Sequence, residues 1–186
     1  ERNADAENVW IIDPLDGTVN YFYGLPGWNV SIAARDSSGS LVGVVYAPTI
    51  NSLWHAVRGQ GAFHNGQAIL STSGVSLDRA LLGTGFAYDV ADRTEQVAMT
   101  SSLLPRIRDI RRMGSAAVDL CHVGMGALDG YFERGLKEWD WAAGALVATE
   151  AGASVIHRGD GPRKLTIAAG PGLFTELQDA LASVEF

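Results

Sequence analysis

The residues Asp13-Pro14-Leu15-Asp16-Gly17-Thr18 follow directly on the apolar run Val9–Ile12, which reads as a buried strand. Strand ends are where α/β proteins place their sites. Pro14 fixes its own φ and pushes Asp13 towards an extended conformation, so the first carboxylate is held at the strand tip. A tight turn then brings Asp16 close to it. Two carboxylates in close approach repel, and a hard divalent cation that prefers oxygen ligands relieves the repulsion. The Leu15 carbonyl lies between the two acids as a third oxygen. Gly17 and Thr18 offer backbone N–H groups where a helical turn begins, an arrangement suited to an anion. A metal, an amide nest and a hydroxyl outline a site for handling phosphoryl groups. The same residues also make an ordinary turn, since Asp-Pro and Asp-Gly are common turn dipeptides.

Two later stretches carry further candidates. Asp140 stands between Trp139 and Trp141 at the start of an expected helix, where an aspartate also serves as a simple N-cap. Glu133 falls on a strand among aromatic residues, where a carboxylate is either paired, at the strand end or on an exposed edge. Gly114-Ser115-Ala116 opens a helix after a strand. Its small residues let a ligand approach the backbone, or simply let strand and helix pack.

The elements that must position these residues divide the chain in two. Up to about residue 80 the pattern is an antiparallel meander, with strands expected at Val9–Ile12, Trp28–Arg35, Leu41–Ala47, Ser52–Val57 and Gly61–His64. Asp13–Gly27 is expected as a loop with one helical turn, and Asn65-Gly66 is a strong hairpin signal. From about residue 81 to 186, strands alternate with helices. Helices are expected at Asp92–Leu104, Ser115–Leu128, Asp140–Ala151 and Leu173–Ser183. Strands are expected at Leu81–Thr84, Asp109–Met113, Gly130–Arg134, Ser154–Ile156 and Leu165–Ala169. Such alternation means a largely buried sheet covered by helices, so the fold class is mixed, α+β with an α/β portion, in one domain.

Composition bounds the function. The chain has 186 residues, 47% of them hydrophobic, with a net charge of −7. That acidity argues against a nucleic-acid backbone binder, though not against a small phosphate ester whose charge a metal can meet. Cys121 is the one cysteine, so no intrachain disulfide forms, and it is expected in the core. No apolar run approaches the roughly 18 residues of a membrane span. The expectation is a cytoplasmic protein. His55, His64, His122 and His157 show no ligand spacing. Trp10, Trp28 and Trp54 are expected in the core or at a subunit interface. Gly83–Phe86 contains a lone Gly-x-Gly, too weak to indicate a dinucleotide.

Three segments together resemble the inositol monophosphatase family: "WIIDPLDGTVNYFYGLP", "RRMGSAAVDLC" and "YFERGLKEWDWAAGALVATEAGA". The similarity runs from about Val9 to the C-terminus. It implies a layered αβαβα sandwich of the sugar-phosphatase type and a lithium-sensitive, magnesium-dependent phosphatase using two or three Mg²⁺ ions. It further implies that Asp13 bridges two ions, that the Leu15 carbonyl binds one, and that Asp16 and Asp140 complete the second site. Thr18 would orient the attacking water. The Gly17 and Thr18 amides would hold the phosphate, and Glu133 with Gly114, Ser115 and Ala116 would meet the polyol. Asp16 and Asp140 would border the substrate as well. The implied partners are a small phosphorylated polyol and a second copy of the chain.

The resemblance also implies a metal-binding glutamate upstream of Asp13. This sequence opens twelve residues before Asp13, and the acids there are Glu1, Asp5 and Glu7. An extended chain of about 3.3 Å per residue puts Glu7 roughly 20 Å from Asp13, too far to share an ion. The expectation is therefore an N-terminally incomplete domain, lacking that glutamate and the family's N-terminal helices, and so without the full means to activate water. Histidinol phosphate, fructose 1,6-bisphosphate and 3′-phosphoadenosine 5′-phosphate are alternative substrates within the superfamily. A protein-binding role in the transcription machinery is the alternative of another kind.

Overall fold

A computed structural model describes residues 8–182. The first half is a six-stranded sheet whose strands pair antiparallel in chain order. They are β1 (Val9–Asp16), β2 (Asn29–Asp36), β3 (Gly39–Ala47), β4 (Ser52–Val57), β5 (Ala62–His64) and β6 (Gln67–Ile69). Asn65 and Gly66, both at positive φ, turn β5 back into β6, so the hairpin signal marks a strand that the apolar pattern alone did not. The strand β1 runs further than its apolar residues. It continues through Asp13-Pro14-Leu15-Asp16, where the expectation was a loop, with a register shift against β2 between Asp13 and Asp16. Proline has no N–H for the ladder, and a bulge accommodates it.

The second half is a five-stranded mixed sheet in the order β10-β11-β9-β7-β8. Its strands are β7 (Leu81–Thr84), β8 (Asp109–Arg111), β9 (Gly130–Arg134), β10 (Ser154–Arg158) and β11 (Leu165–Ala169). β7 lies parallel to β8 and β9, whereas β9, β11 and β10 run antiparallel. The helices are α1 (Thr18–Phe22), α2 (Val90–Leu103), α3 (Ala116–Gly124), α4 (Glu138–Glu150) and α5 (Leu173–Ala182). Ser115 caps α3 as expected, accepting from Val118 N at 3.1 Å. Asp140 does not cap α4. Lys137 is the N-cap, and Asp140 stands three residues on, with its carboxylate accepting from Lys137 N at 2.6 Å.

The helices α3 and α4 pack between the two sheets. Their apolar faces meet Ile11, Ala33, Val45 and Trp54 of the first sheet, with Cys121 in that core. A Cβ at Gly43 would stand 2.8 Å from the Ala143 carbonyl oxygen, so the glycine sets how closely α4 approaches β3. Of the three tryptophans expected in the core or at a subunit interface, Trp54 is in the core. Trp28 is half-buried against Tyr21, and Trp10 is 65% exposed. Trp10 and its neighbour two along, Ile12, lie on the face of β1 away from α4, because side chains alternate along a strand.

Candidate active site

The strand β1, the turn into α1, the start of α3, the end of β9 and the start of α4 converge on one cleft of about 390 Å³. Asp13, Leu15, Asp16, Gly17 and Thr18 line one wall. Gly114, Ser115, Ala116, Glu133 and Asp140 line other parts of it, so every candidate metal, phosphate or polyol residue read from the sequence faces the same space. Glu1, Asp5 and Glu7 lie outside the described residues.

Asp13, Asp16 and Asp140 each offer a carboxylate oxygen, and these atoms lie within 4.8 Å of one another. Among the described residues this is the one group of three or more acidic, histidine or cysteine ligands so arranged. An all-oxygen donor set suits a hard divalent cation. Local backbone chemistry prepares it. Asp13 Oδ1 accepts the Leu15 N–H at 3.0 Å, which folds the turn around Pro14. Gly17 adopts φ 76°, a left-handed value that glycine takes without a Cβ penalty, and a Cβ there would also press on Trp28 Cα at 3.2 Å.

Asp16 is the best supported of the three. Its Oδ2 accepts from Ser115 Oγ at 2.5 Å, from Asn29 Nδ2 at 3.3 Å and from Ala117 N at 3.3 Å. Burial pushes its carboxyl above the ordinary range; the Ser115 and Asn29 hydrogen bonds oppose that rise, and the Asp13 charge adds to it. Burial likewise raises Asp140 to about 6, with the Asp16 and Asp13 charges adding to the effect and the Lys137 N–H opposing it. Three crowded acids, with Asp16 and Asp140 pushed upwards, define a place where bound positive charge is worth most.

Towards the far end the cleft changes character. Glu133 is not on an exposed edge: β9 is an interior strand, and the carboxyl accepts from the Tyr131 hydroxyl. Burial raises Glu133 to about 7, while the Tyr131 hydrogen bond and the Arg112 charge pull the other way. Beside it stands Asp119 of α3, 1% exposed, whose Oδ1 has no hydrogen-bond partner among the described residues. A buried polar atom left so costs about 1–3 kcal/mol. Burial, then the Glu133 and Asp16 charges, push Asp119 far above the usual range.

Sequence reasoning missed Asp119, although one acid in the otherwise apolar Ala116–Cys121 run was a visible signal. It missed Asn29 because an asparagine at a strand start has no pattern that marks it. It missed Asn20, whose Nδ2 donates to the Met113 and Pro26 carbonyls and so ties α1 to the loop before Ser115.

The model of the inositol monophosphatase family matches residues 1–183. The chain belongs to that family. It is 44% identical over 180 residues to an inositol-1-monophosphatase of Mycobacterium bovis, covering 93% of this chain and 62% of that one. It is 44% identical over 155 residues to the Nus factor SuhB of Escherichia coli K12, covering 83% and 58%. Among solved structures, the inositol monophosphatase from Anabaena (Nostoc) sp. PCC 7120 superposes with a TM-score of 0.91 at 37% identity, covering 98% of this chain and 75% of that one. Mycobacterium tuberculosis SuhB gives 0.90 at 40%, covering 96% and 74%. The chain thus spans about 62% of the length of the first curated relatives it matches.

Proposed function

We propose that the protein containing this chain is a Mg²⁺-dependent phosphomonoesterase acting on inositol 1-phosphate or a related small polyol phosphate. The observation that carries the reading is the Asp13–Asp16–Asp140 cluster, within 4.8 Å, in a chain of this family. Asp13, Asp16, Asp140 and the Leu15 carbonyl would hold two or three ions. Bound Mg²⁺ would supply a Lewis acid for the phosphoryl oxygens and a more acidic water for direct in-line attack. Thr18 orients that water, and the Gly17 and Thr18 amides hold the phosphate. Gly114, Ser115, Ala116 and Glu133 contact the polyol. Serving as a hydrogen-bond donor, Ser115 opposes the rise that burial imposes on the Asp16 carboxyl and would aim it at the cation.

Phosphate release by the whole protein tests this, with inositol 1-phosphate, fructose 1,6-bisphosphate, histidinol phosphate and 3′-phosphoadenosine 5′-phosphate. Each is assayed with and without Mg²⁺ and Li⁺. Mg²⁺-dependent, Li⁺-inhibited release that is fastest from inositol 1-phosphate is the expected outcome. Faster release from another ester moves the substrate within the superfamily, and release from none overturns the phosphatase reading.

In the whole protein we place this chain within the αβαβα sandwich, with helices over the β1 face that bears Trp10 and Ile12. It would be a cytoplasmic homodimer, which sedimentation of the whole protein would check. Among the described residues, no helix is long and apolar enough to cross a membrane. A second reading, a protein-binding role in transcription, rests on relatives named Nus factor SuhB, one of them 47% identical over 155 residues. An Asp140→Asn protein that loses turnover but keeps a transcription phenotype would favour it.

A further inference from the structure

The Gly83-Thr84-Gly85 stretch, too weak as a dinucleotide motif, has a role at the floor of the cleft. Gly83 and Thr84 end β7, and Thr84 Oγ1 donates to the Phe132 carbonyl at 2.8 Å, fixing this strand end to β9. A Cβ on Gly85 would overlap the Glu133 carboxyl. A Cβ on Gly83 would stand 2.8 Å from Leu128 Cδ1, 3.0 Å from Tyr131 Cδ2 and 3.5 Å from Asp119 Cγ. Bare backbone therefore stands at the two places where acids from α3 and β9 meet the cleft.

Asp119 needs an explanation that packing does not give. It lines the cleft, is 1% exposed and has an Oδ1 with no hydrogen-bond partner among the described residues. Its helix neighbours Ala117, Val118, Leu120 and Cys121 are buried and apolar, so a leucine would suit the position better for stability alone. A buried polar group without a partner points to a missing one.

We propose that Asp119 is a specificity-determining residue which, with Glu133, forms a two-carboxyl subsite that hydrogen-bonds the hydroxyls of an uncharged polyol moiety. This rests on the phosphomonoesterase reading and names the end of the ester that the metal cluster does not hold. A hydroxyl both donates and accepts, and so does a neutral carboxyl. The burial that raises both acids favours their neutral forms and so suits an uncharged partner. Arg112 is the cation whose charge acts on both acids.

The test compares the whole wild-type protein with its Asp119→Leu, Asp119→Ala and Asp119→Asn variants, on inositol 1-phosphate and on phenyl phosphate, which has no hydroxyl. The ratio of kcat/KM for the two esters should fall about tenfold in Asp119→Leu and Asp119→Ala. Asp119→Asn, which keeps a donor and an acceptor, should restore it to within about threefold. The thermal midpoint of Asp119→Leu should equal or exceed that of wild type, because no satisfied group is lost. The alanine variant keeps the ratio readable if the leucine variant does not fold. Equal losses on both esters, or an unchanged ratio, overturn the proposal. If wild type releases no phosphate from any ester, the phosphatase reading fails and the subsite is read by equilibrium dialysis of inositol 1-phosphate with Mg²⁺. Binding about tenfold tighter to wild type than to Asp119→Leu supports it, whereas equal binding or none overturns it.

Discussion

Asp16 at one end of the cleft and Glu133 at the other are both partly buried carboxyls pushed upwards by burial, yet they differ in hydrogen-bond supply. Asp16 receives hydrogen bonds from a hydroxyl, an amide side chain and a backbone N–H, all of which favour the ionised form. Glu133 receives one, from Tyr131, and its neighbour Asp119 leaves an oxygen with none among the described residues. On the proposed function, the same functional group would carry charge beside a cation at one end and stay neutral against an uncharged partner at the other. Donor supply, more than burial, separates the two roles.

The comparison breaks most sharply at the charged end. Asp140→Asn keeps an oxygen to accept the Lys137 N–H, so the start of α4 should survive. It removes one of three clustered charges, and phosphate release by the whole protein should fall by on the order of a hundredfold or more. Near-native turnover with normal circular dichroism would remove Asp140 from the metal site.

At the neutral end the measurement is stability against pH in the absence of divalent cations. Glu133 is raised from 4.5 to about 7 in the folded protein. The folded state therefore holds this proton more tightly than the unfolded chain. The associated stability is fully present below about pH 4.5 and is lost as pH climbs through 7. At about 1.4 kcal/mol for each pH unit, the whole effect is about 3 kcal/mol. Glu133→Gln should flatten the decline in denaturant titrations between those pH values. An unchanged slope would mean that Glu133 is not held neutral.

The smallest effect separates the two services of Ser115, which caps α3 and supports Asp16. Ser115→Ala should lower stability by about 1 kcal/mol through the lost cap. It should also weaken Mg²⁺ activation several-fold, since Asp16 would lose its shortest hydrogen bond. A stability loss with no change in the Mg²⁺ dependence would confine Ser115 to capping.

Legibility followed locality. Asp13, Asp16, Gly17 and Thr18 were readable because proline, glycine and closely spaced acids restrict one short piece of backbone. The antiparallel meander was readable from turn residues between apolar runs. Asp140 was ambiguous, because an acid near a helix start has an equally good structural reason to be there. Its place as the third residue of α4, with its carboxylate turned back to Lys137 N, follows from a helix that begins two residues earlier than the tryptophan-flanked pattern suggests. Trp10 could be narrowed only to the core or a subunit interface, because the chain's pattern does not show what covers each sheet face; the structure leaves it 65% exposed on this chain.

What the sequence by itself determined are the donor types, the tight turn and the strand that carries it, since these depend on neighbours a few bonds away. Only the tertiary structure decided which acids meet. Ser115 reaches Asp16 across 99 residues, and α4 brings Asp140 to within 4.8 Å of both β1 acids. It also decided that Asp119 is dry and that, among the described residues, both it and Glu133 are short of donors. Desolvation and hydrogen-bond supply belong to the assembled surroundings of a group, and no spacing in the chain records them.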